Sequence, residues 1–144
     1  MPIPKKLRRQ RGFTLIELLV VLAILGLLIG LVAPQVIHQL GSAKHKVAGQ
    51  AIARLAGILD IYRLDVGVYP STAQGVKALT DPPPGVAAWN GPYVKDPNEL
   101  MDPWGHVFLY RSPSQRPKHD YDLFTLGSDG KPGGEGEAAD IINP

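Results

Sequence analysis

The chain changes character near Pro34, where a uniformly apolar stretch gives way to alternating apolar and polar residues. From Phe13 to Ala33, 21 residues contain a single ionisable side chain, Glu17. At about 1.5 Å per residue, a helix of this length spans about 30 Å, which matches the hydrocarbon core of a bilayer. The run therefore predicts a membrane-spanning helix at residues 13–34.

Residues 35–66 follow a different pattern, with apolar side chains spaced three, four or seven positions apart, as on one face of a helix. This spacing predicts an amphipathic helix that continues the membrane helix. Pro34 removes one backbone hydrogen bond between the two segments, so a kink or local melting is expected there. The predicted apolar stripe consists of Ile37, Leu40, Val47, Ala51, Leu55, Ile58 and Tyr62.

Residues 67–144 predict a small globular domain. Its first part is rich in proline. Three of the aromatic residues there, Trp89, Tyr93 and Trp104, favour closure of a small core over ligand binding. Two runs rich in β-branched and aromatic residues, 106–111 and 121–126, predict an antiparallel hairpin. The fold class is therefore α+β, with a long N-terminal helix packed against a small C-terminal antiparallel sheet.

Charge separates the first twelve residues from the rest. They contain five cations and no acid, so removing them from a formal charge of +2 leaves −3. The basic balance is thus no argument for nucleic-acid binding. Lys and Arg beside a membrane segment stay in the cytoplasm, which places the C-terminal domain on the other side. The five cations are Lys5, Lys6, Arg8, Arg9 and Arg11.

A basic start followed by an apolar run is also typical of a secretory signal, but such a signal has a shorter apolar region with a small residue at its far end. Here the small residue, Gly12, lies at the near end. The pattern G-F-T-L-I-E-L at residues 12–18 resembles the processing site of the type IV pilin-like family, which includes pilins and type II secretion pseudopilins. The resemblance implies that a prepilin peptidase cuts between Gly12 and Phe13 and methylates Phe13.

Glu17 matches the acidic residue of that family's motif. A carboxylate in lipid costs about 2.5–3.5 kcal/mol on insertion scales, so such residues usually have a partner. We expect Glu17 to meet the Phe13 amine of an adjacent subunit during assembly, although snorkelling of Glu17 to the membrane interface is an alternative. Phe13, Glu17 and Pro34 are therefore the candidate assembly residues.

The stretch from Leu126 to Ile142, called the terminal loop below, contains five glycines and four acids. Hard oxygens on a flexible backbone suit Ca²⁺, although a flexible acidic tail has the same composition, and the spacing is not that of an EF-hand. The segments Y-D-L-F-T-L-G-S-D-G and A-D-I-I-N resemble those of major pseudopilins, whose C-terminal loop binds calcium. The implied ligands are Asp129, Asp140 and the Leu126 main chain, with Ser128 and Glu137 as further candidates.

The resemblance implies a non-enzymatic subunit, consistent with the absence of a nucleophile elbow or phosphate loop. It implies a single-pass protein of the bacterial inner membrane that polymerises into a periplasmic filament driving export of folded proteins. The implied partners are minor pseudopilins, the prepilin peptidase, the inner-membrane assembly platform and the outer-membrane secretin. A type IV pilin or minor pilin, and a membrane-anchored binding module, are alternatives. The predicted organisation is leader 1–12, membrane helix 13–34, amphipathic helix 35–66 and globular domain 67–144.

Overall fold

A computed structural model describes residues 12–144, so the basic part of the predicted leader lies outside the described residues. One helix, α1 (Leu15–Val66), contains both predicted helical segments. It continues through Pro34, so the expectation of local melting there is wrong, while the other expectation, a kink, stays a prediction. The loss of a single backbone hydrogen bond does not end the helix, and two good helix formers, Ala33 and Gln35, flank the proline. Contacts divide the chain into two units, and the boundary between them in the sequence lies between His38 and Gln39.

In the first unit, every described residue is exposed. Leu27 is 76% and Leu31 69% exposed, although both are among the most apolar residue types. Within the described residues, α1 is the one helix long and apolar enough to cross a membrane, with a mean hydropathy of 3.0 in its best window. The apolar surface of this unit therefore has no cover within the unit itself.

In the second unit, one face of α1 is buried against the C-terminal domain. The buried face differs from the predicted stripe, because Ile37, Leu40 and Val47 are exposed. Apolar residues lie on more than one side of this helix, and periodicity alone does not say which side the domain covers. The buried residues of α1 are Gly41, Ala48, Ile52, Leu55, Leu59 and Tyr62.

The predicted hairpin is present in a shorter form, and a third strand completes the sheet. The strands are β1 (Leu109–Arg111), β2 (Asp122–Thr125) and β3 (Ile141–Ile142), arranged in the order β1-β2-β3 with both pairs antiparallel. Phe124 pairs with Leu109 on one side and Ile142 on the other. The outer ends of the predicted strands lack ladder pairing, and the one described bridge there joins Met101 to Val107.

The core lies between α1 and the inner face of the sheet, where Leu59 and Tyr62 join Tyr110 and Leu123 in one cluster. Short 3-10 helices at Val76–Leu79 and Pro97–Leu100 contribute Val76, Ala78, Leu79 and Leu100 to this cluster.

Two of the three aromatic residues in the proline-rich segment pack against the core as predicted. Tyr93 packs on Tyr62, with ring centroids 5.5 Å apart, and Trp89 meets Tyr93 edge-on. The Trp89 indole N–H donates to the Ala78 carbonyl at 2.8 Å. These rings therefore cover the core beneath the loop, and their faces contact other residues of the domain.

Candidate functional sites at the helix start and the terminal loop

The predicted processing junction precedes the helix. Gly12 and Phe13 have no regular secondary structure, and Phe13 is 85% exposed. A side chain added at Gly12 would meet nothing within 4 Å. Among the described residues, both Gly12 and Phe13 are thus exposed.

Thr14 and Glu17 together form the start of α1. The Thr14 carbonyl accepts from the Leu18 N–H at 3.2 Å, and the Thr14 hydroxyl oxygen accepts from the Glu17 N–H at 3.3 Å. Thr14 is thus the N-cap, a role that the T-x-x-E spacing could have predicted. Glu17 lies in the first turn, where the helix dipole stabilises a negative charge. Its carboxylate is therefore favoured by its own helix as well as by any external cation.

Pro34 lies on an exposed apolar part of the helix, with Val32, Ala33 and Val36 close by in sequence. Side chains on this part of α1 form a shallow groove of about 440 Å³. The groove is lined by Leu28, Ile29, Val32, Ala33, Val36 and Ile37. The side chains around Pro34 thus form an apolar surface, and Pro34 removes one backbone hydrogen bond of the helix at this point.

The two aspartates of the terminal loop lie in different local structures. Asp129 is in the turn that follows β2, and Asp140 directly precedes β3. The Asp129 carboxylate accepts from the Lys131 N–H at 3.1 Å, and the Asp140 carboxylate accepts from the Gly133 N–H at 2.9 Å. Both residues are exposed, and among the described contacts each has one carboxylate oxygen without a hydrogen bond. Each aspartate therefore retains an oxygen that could bind a cation.

The other three candidate ligands lie at the ends of the loop. Ser128 is exposed, and its N–H donates to the Glu137 carbonyl at 2.8 Å. The side chain of Glu137 lies against Gly41 on α1. Leu126 is half-buried at the end of β2 and lines a groove of about 240 Å³. The loop thus connects the sheet edge to the helix.

Glycine geometry shows how tightly this loop is folded. Gly127 and Gly134 have positive φ, and a Cβ at either position would collide with backbone atoms of Ala138. The described residues contain no cluster of three acidic, His or Cys side chains, so a metal here would need main-chain oxygens as well. Ca²⁺ accepts such mixed oxygen ligands, and the donor chemistry of the loop fits this ion.

The strongest polar cluster was missed by sequence reasoning. Asp122 is fully buried, and its carboxylate accepts from the Arg111 side chain at 2.5 Å, from Arg116 Nε at 2.8 Å and from the Ser114 hydroxyl at 2.6 Å. Burial alone would raise the pKa of Asp122. The hydrogen bonds from Ser114, Arg116 and Arg111 outweigh burial and hold the pKa of this carboxyl well below its usual range.

This cluster also holds the chain terminus. Arg116 donates to the Asn143 side-chain oxygen at 2.9 Å, and the Leu123 N–H donates to the same oxygen at 2.8 Å. The Asn143 N–H in turn donates to the Leu123 carbonyl. Asn143 therefore fixes the end of β3 against β2, and the conspicuous A-D-I-I-N segment was the one sequence signal for this contact.

A second buried carboxylate joins the proline-rich segment to the sheet. Asp102 accepts from the Trp104 and His106 N–H groups at 3.0 and 2.9 Å and from the Thr125 hydroxyl. The Thr125 oxygen accepts from the Gly127 N–H at 3.3 Å. The start of the terminal loop is thus connected to a buried polar group.

Known sequence families match both parts of the chain. Residues 35–144 match the family "Type II secretion system (T2SS), protein G", and residues 7–33 match "Prokaryotic N-terminal methylation motif". The second match covers the predicted processing site. It supports a pilin-like N-terminal helix, which is consistent with anchoring in the inner membrane.

Curated relatives and a solved structure agree with these matches. A type II secretion system core protein G of Vibrio cholerae is 44% identical over 142 residues and covers 96% of this chain and 94% of the relative. The corresponding protein of Pseudomonas aeruginosa is 46% identical over 141 residues, covering 94% and 96%.

The fold is similar to a crystal structure of the major pseudopilin from the type 2 secretion system of enterohaemorrhagic Escherichia coli, with a TM-score of 0.56 and 34% identity. The match covers 70% of this chain and 86% of that one. Together these similarities favour a pseudopilin over the alternative pilin or binding module, and they imply pilus assembly and prepilin processing. The chain belongs to the protein G family of the type II secretion system, the non-enzymatic major pseudopilins.

Proposed function

We propose that the chain polymerises through its N-terminal helix into a periplasmic filament that drives export of folded proteins across the outer membrane. The observation that carries this proposal is the exposed apolar surface of α1 up to Leu40. Such a surface is stable in lipid or against another apolar helix. Electron microscopy of the overexpressed protein should find filaments. Since the chain lacks cysteine, single cysteines introduced in α1 should crosslink only between subunits.

Within the filament, we propose that Glu17 of one subunit pairs with the Phe13 amine of the next. Glu17→Gln removes the charge and should abolish filaments. Thr14→Ala removes the helix cap but keeps the charge, and it should leave assembly largely intact. Normal filament yield from Glu17→Gln would contradict the pairing.

The Phe13 amine exists only after cleavage, so we propose that a prepilin peptidase cuts after Gly12 and methylates Phe13. Orientation follows from the leader cations, with the N-terminus in the cytoplasm and the C-terminal domain in the periplasm. Mass spectrometry of the mature protein should give N-methylated Phe13 as the first residue. A product that retains Met1 would contradict both the cleavage and the pairing.

The wider machine follows from the same proposal. In this proposal the filament is built by an inner-membrane assembly platform, carries minor pseudopilins and faces the outer-membrane secretin. Co-purification from membranes crosslinked in living cells should recover these components. The Glu17→Gln variant should still meet the assembly platform but should lose contact with the secretin, because it forms no filament.

We also propose that the terminal loop binds Ca²⁺ through Asp129, Asp140 and the main-chain oxygen of Leu126, with Ser128 as a further oxygen donor. When bound, the ion would join the start of the terminal loop to Asp140 near its end, in a domain that has no disulfide. A ligand at 100 times its Kd stabilises a fold by about 2.7 kcal/mol. Chelation should therefore lower the melting temperature of the full chain in detergent, whereas the Asp129→Asn/Asp140→Asn variant should not respond. An unchanged melt in metal-free protein would contradict the site.

A further inference from the structure

Gly41 is a buried residue on a part of α1 that is otherwise mostly exposed. The preceding described residues are all exposed, and so are the two that follow. Gly41 is covered by the side chain of Glu137, whose Cγ, Cδ and carboxylate occupy the space that a Cβ would need. The absence of a side chain at Gly41 is thus what allows the terminal loop to approach the helix.

Glu137 is also held from the other side. Its carbonyl accepts from the Ser128 N–H at 2.8 Å, and the same carbonyl lies where a Cβ of Gly127 would be. Glu137 therefore connects α1, through its side chain, to the first residues of the terminal loop, through its backbone. One helical turn after Gly41, His45 is half-buried and its Nδ1 is shielded from solvent. His45 is therefore partly covered as well, on a stretch of α1 whose other residues are mostly exposed.

We propose that Gly41 is a seat for Glu137, and that this contact positions the terminal loop for cation binding. In this assignment, which rests on the proposed calcium site, Glu137 is a positioning residue and not a ligand. A side chain at position 41 would move the Glu137 side chain off the helix. In this proposal the backbone of residue 137 shifts with it and weakens the hydrogen bond from the Ser128 N–H. Asp129, the next residue, would then lose its fixed place relative to Asp140.

The test compares two glycines of the same helix. Gly41→Ala introduces a methyl group into the space of Glu137, whereas Gly49→Ala introduces one where nothing lies within 4 Å. Both changes gain the same helix propensity. In the full chain in detergent, Ca²⁺ affinity should fall about tenfold for Gly41→Ala, the size expected for directly coupled residues, and stay unchanged for Gly49→Ala.

The second variant removes the opposing side chain. Glu137→Ala vacates the space above position 41, so adding Gly41→Ala to it should cause no further loss of affinity. If Gly41→Ala still lowers Ca²⁺ affinity in the Glu137→Ala background, the proposed contact between Gly41 and Glu137 is wrong. A fall of more than about a hundredfold for Glu137→Ala alone would instead identify Glu137 as a ligand and also overturn the proposal.

Hydrogen exchange in excess chelator separates this inference from the calcium site. Gly41→Ala should speed exchange of the Ser128 N–H about tenfold, and Gly49→Ala should not. Unchanged exchange in Gly41→Ala overturns the seat whether or not calcium binds. Faster exchange in Gly41→Ala, together with no Ca²⁺ binding by the wild-type chain, would support the seat and refute the calcium site alone.

Discussion

The two halves of α1 have the same secondary structure and opposite surroundings. In the first half Leu25 and Leu27 are 48% and 76% exposed, whereas in the second half Leu55 and Leu59 are fully buried. The helix itself needs only local hydrogen bonds, and both halves have them. Burial depends on what covers the helix, and within this chain only the second half is covered. The first half therefore leaves its apolar surface available for contact with lipid or with another subunit.

The largest expected effect tests this contrast directly. Leu59→Ala should lower the free energy of unfolding of the C-terminal domain by about 4 kcal/mol, because it leaves a cavity in the core. Leu27→Ala should change it by less than about 0.5 kcal/mol, since exposed substitutions have little effect. Urea denaturation in detergent, followed by tryptophan fluorescence, measures both. Equal losses would mean that the two halves unfold as one unit.

The next effect concerns the polar cluster around Asp122, which joins β1 to β2 and holds Asn143. Asp122→Asn should cost about 3 kcal/mol, because Arg111 and Arg116 lose the charge that both contact. The control is Asp120→Asn, which breaks an exposed pair with Arg63 at 3.4 Å and should cost less than about 0.5 kcal/mol. A cost for Asp120→Asn as large as that for Asp122→Asn would contradict a special role for burial.

The same carboxylate predicts how the covered half responds to acid. Its pKa is lower in the folded state than the ordinary value of about 3.9, so its contribution is present above pH 4 and is lost as the pH falls further. Stability measured between pH 6 and 2 should drop steeply in the wild-type chain. The Asp122→Asn variant should have a shallower slope over that range, and an unchanged slope would assign the acid sensitivity to other groups.

The smallest effect concerns Tyr110, which joins the sheet to the segment after α1. Its hydroxyl donates to the Pro70 carbonyl at 2.9 Å, and burial raises its pKa to about 12. Tyr110→Phe should cost about 1 kcal/mol at neutral pH. Because the folded pKa is raised, the stability linked to this group is present below pH 10 and is lost between pH 10 and 12.

An alkaline titration of unfolding should therefore be shallower in Tyr110→Phe than in the wild type. Burial also raises the pKa of Tyr121, so this residue should retain part of the pH dependence in the variant. An identical alkaline slope in the variant and the wild type would show that Tyr110 does not report on this interface.

Much of the fold was predictable because its signals are local. A run of 21 residues with one charge specifies a long helix wherever it occurs, and β-branched and aromatic runs specify strands. The third strand was not predictable, since Ile141 and Ile142 are too few to give a pattern. The buried cluster around Asp122 was not predictable either, because only the hairpin brings its partners Arg111 and Arg116 to it.

For the sites, the sequence supplied the residues of the processing junction and the glycine-rich loop. The contact between Glu137 and Gly41 joins positions 96 residues apart, and no local pattern encodes such a pair. The sequence by itself determined the helix, its apolar first half and the acid at its start, because these depend on neighbouring residues. The tertiary structure alone decided which face of the helix is buried and where the loop rests on it. Those outcomes depend on long-range packing, because apolar residues lie on several faces of the helix and the domain covers only one face.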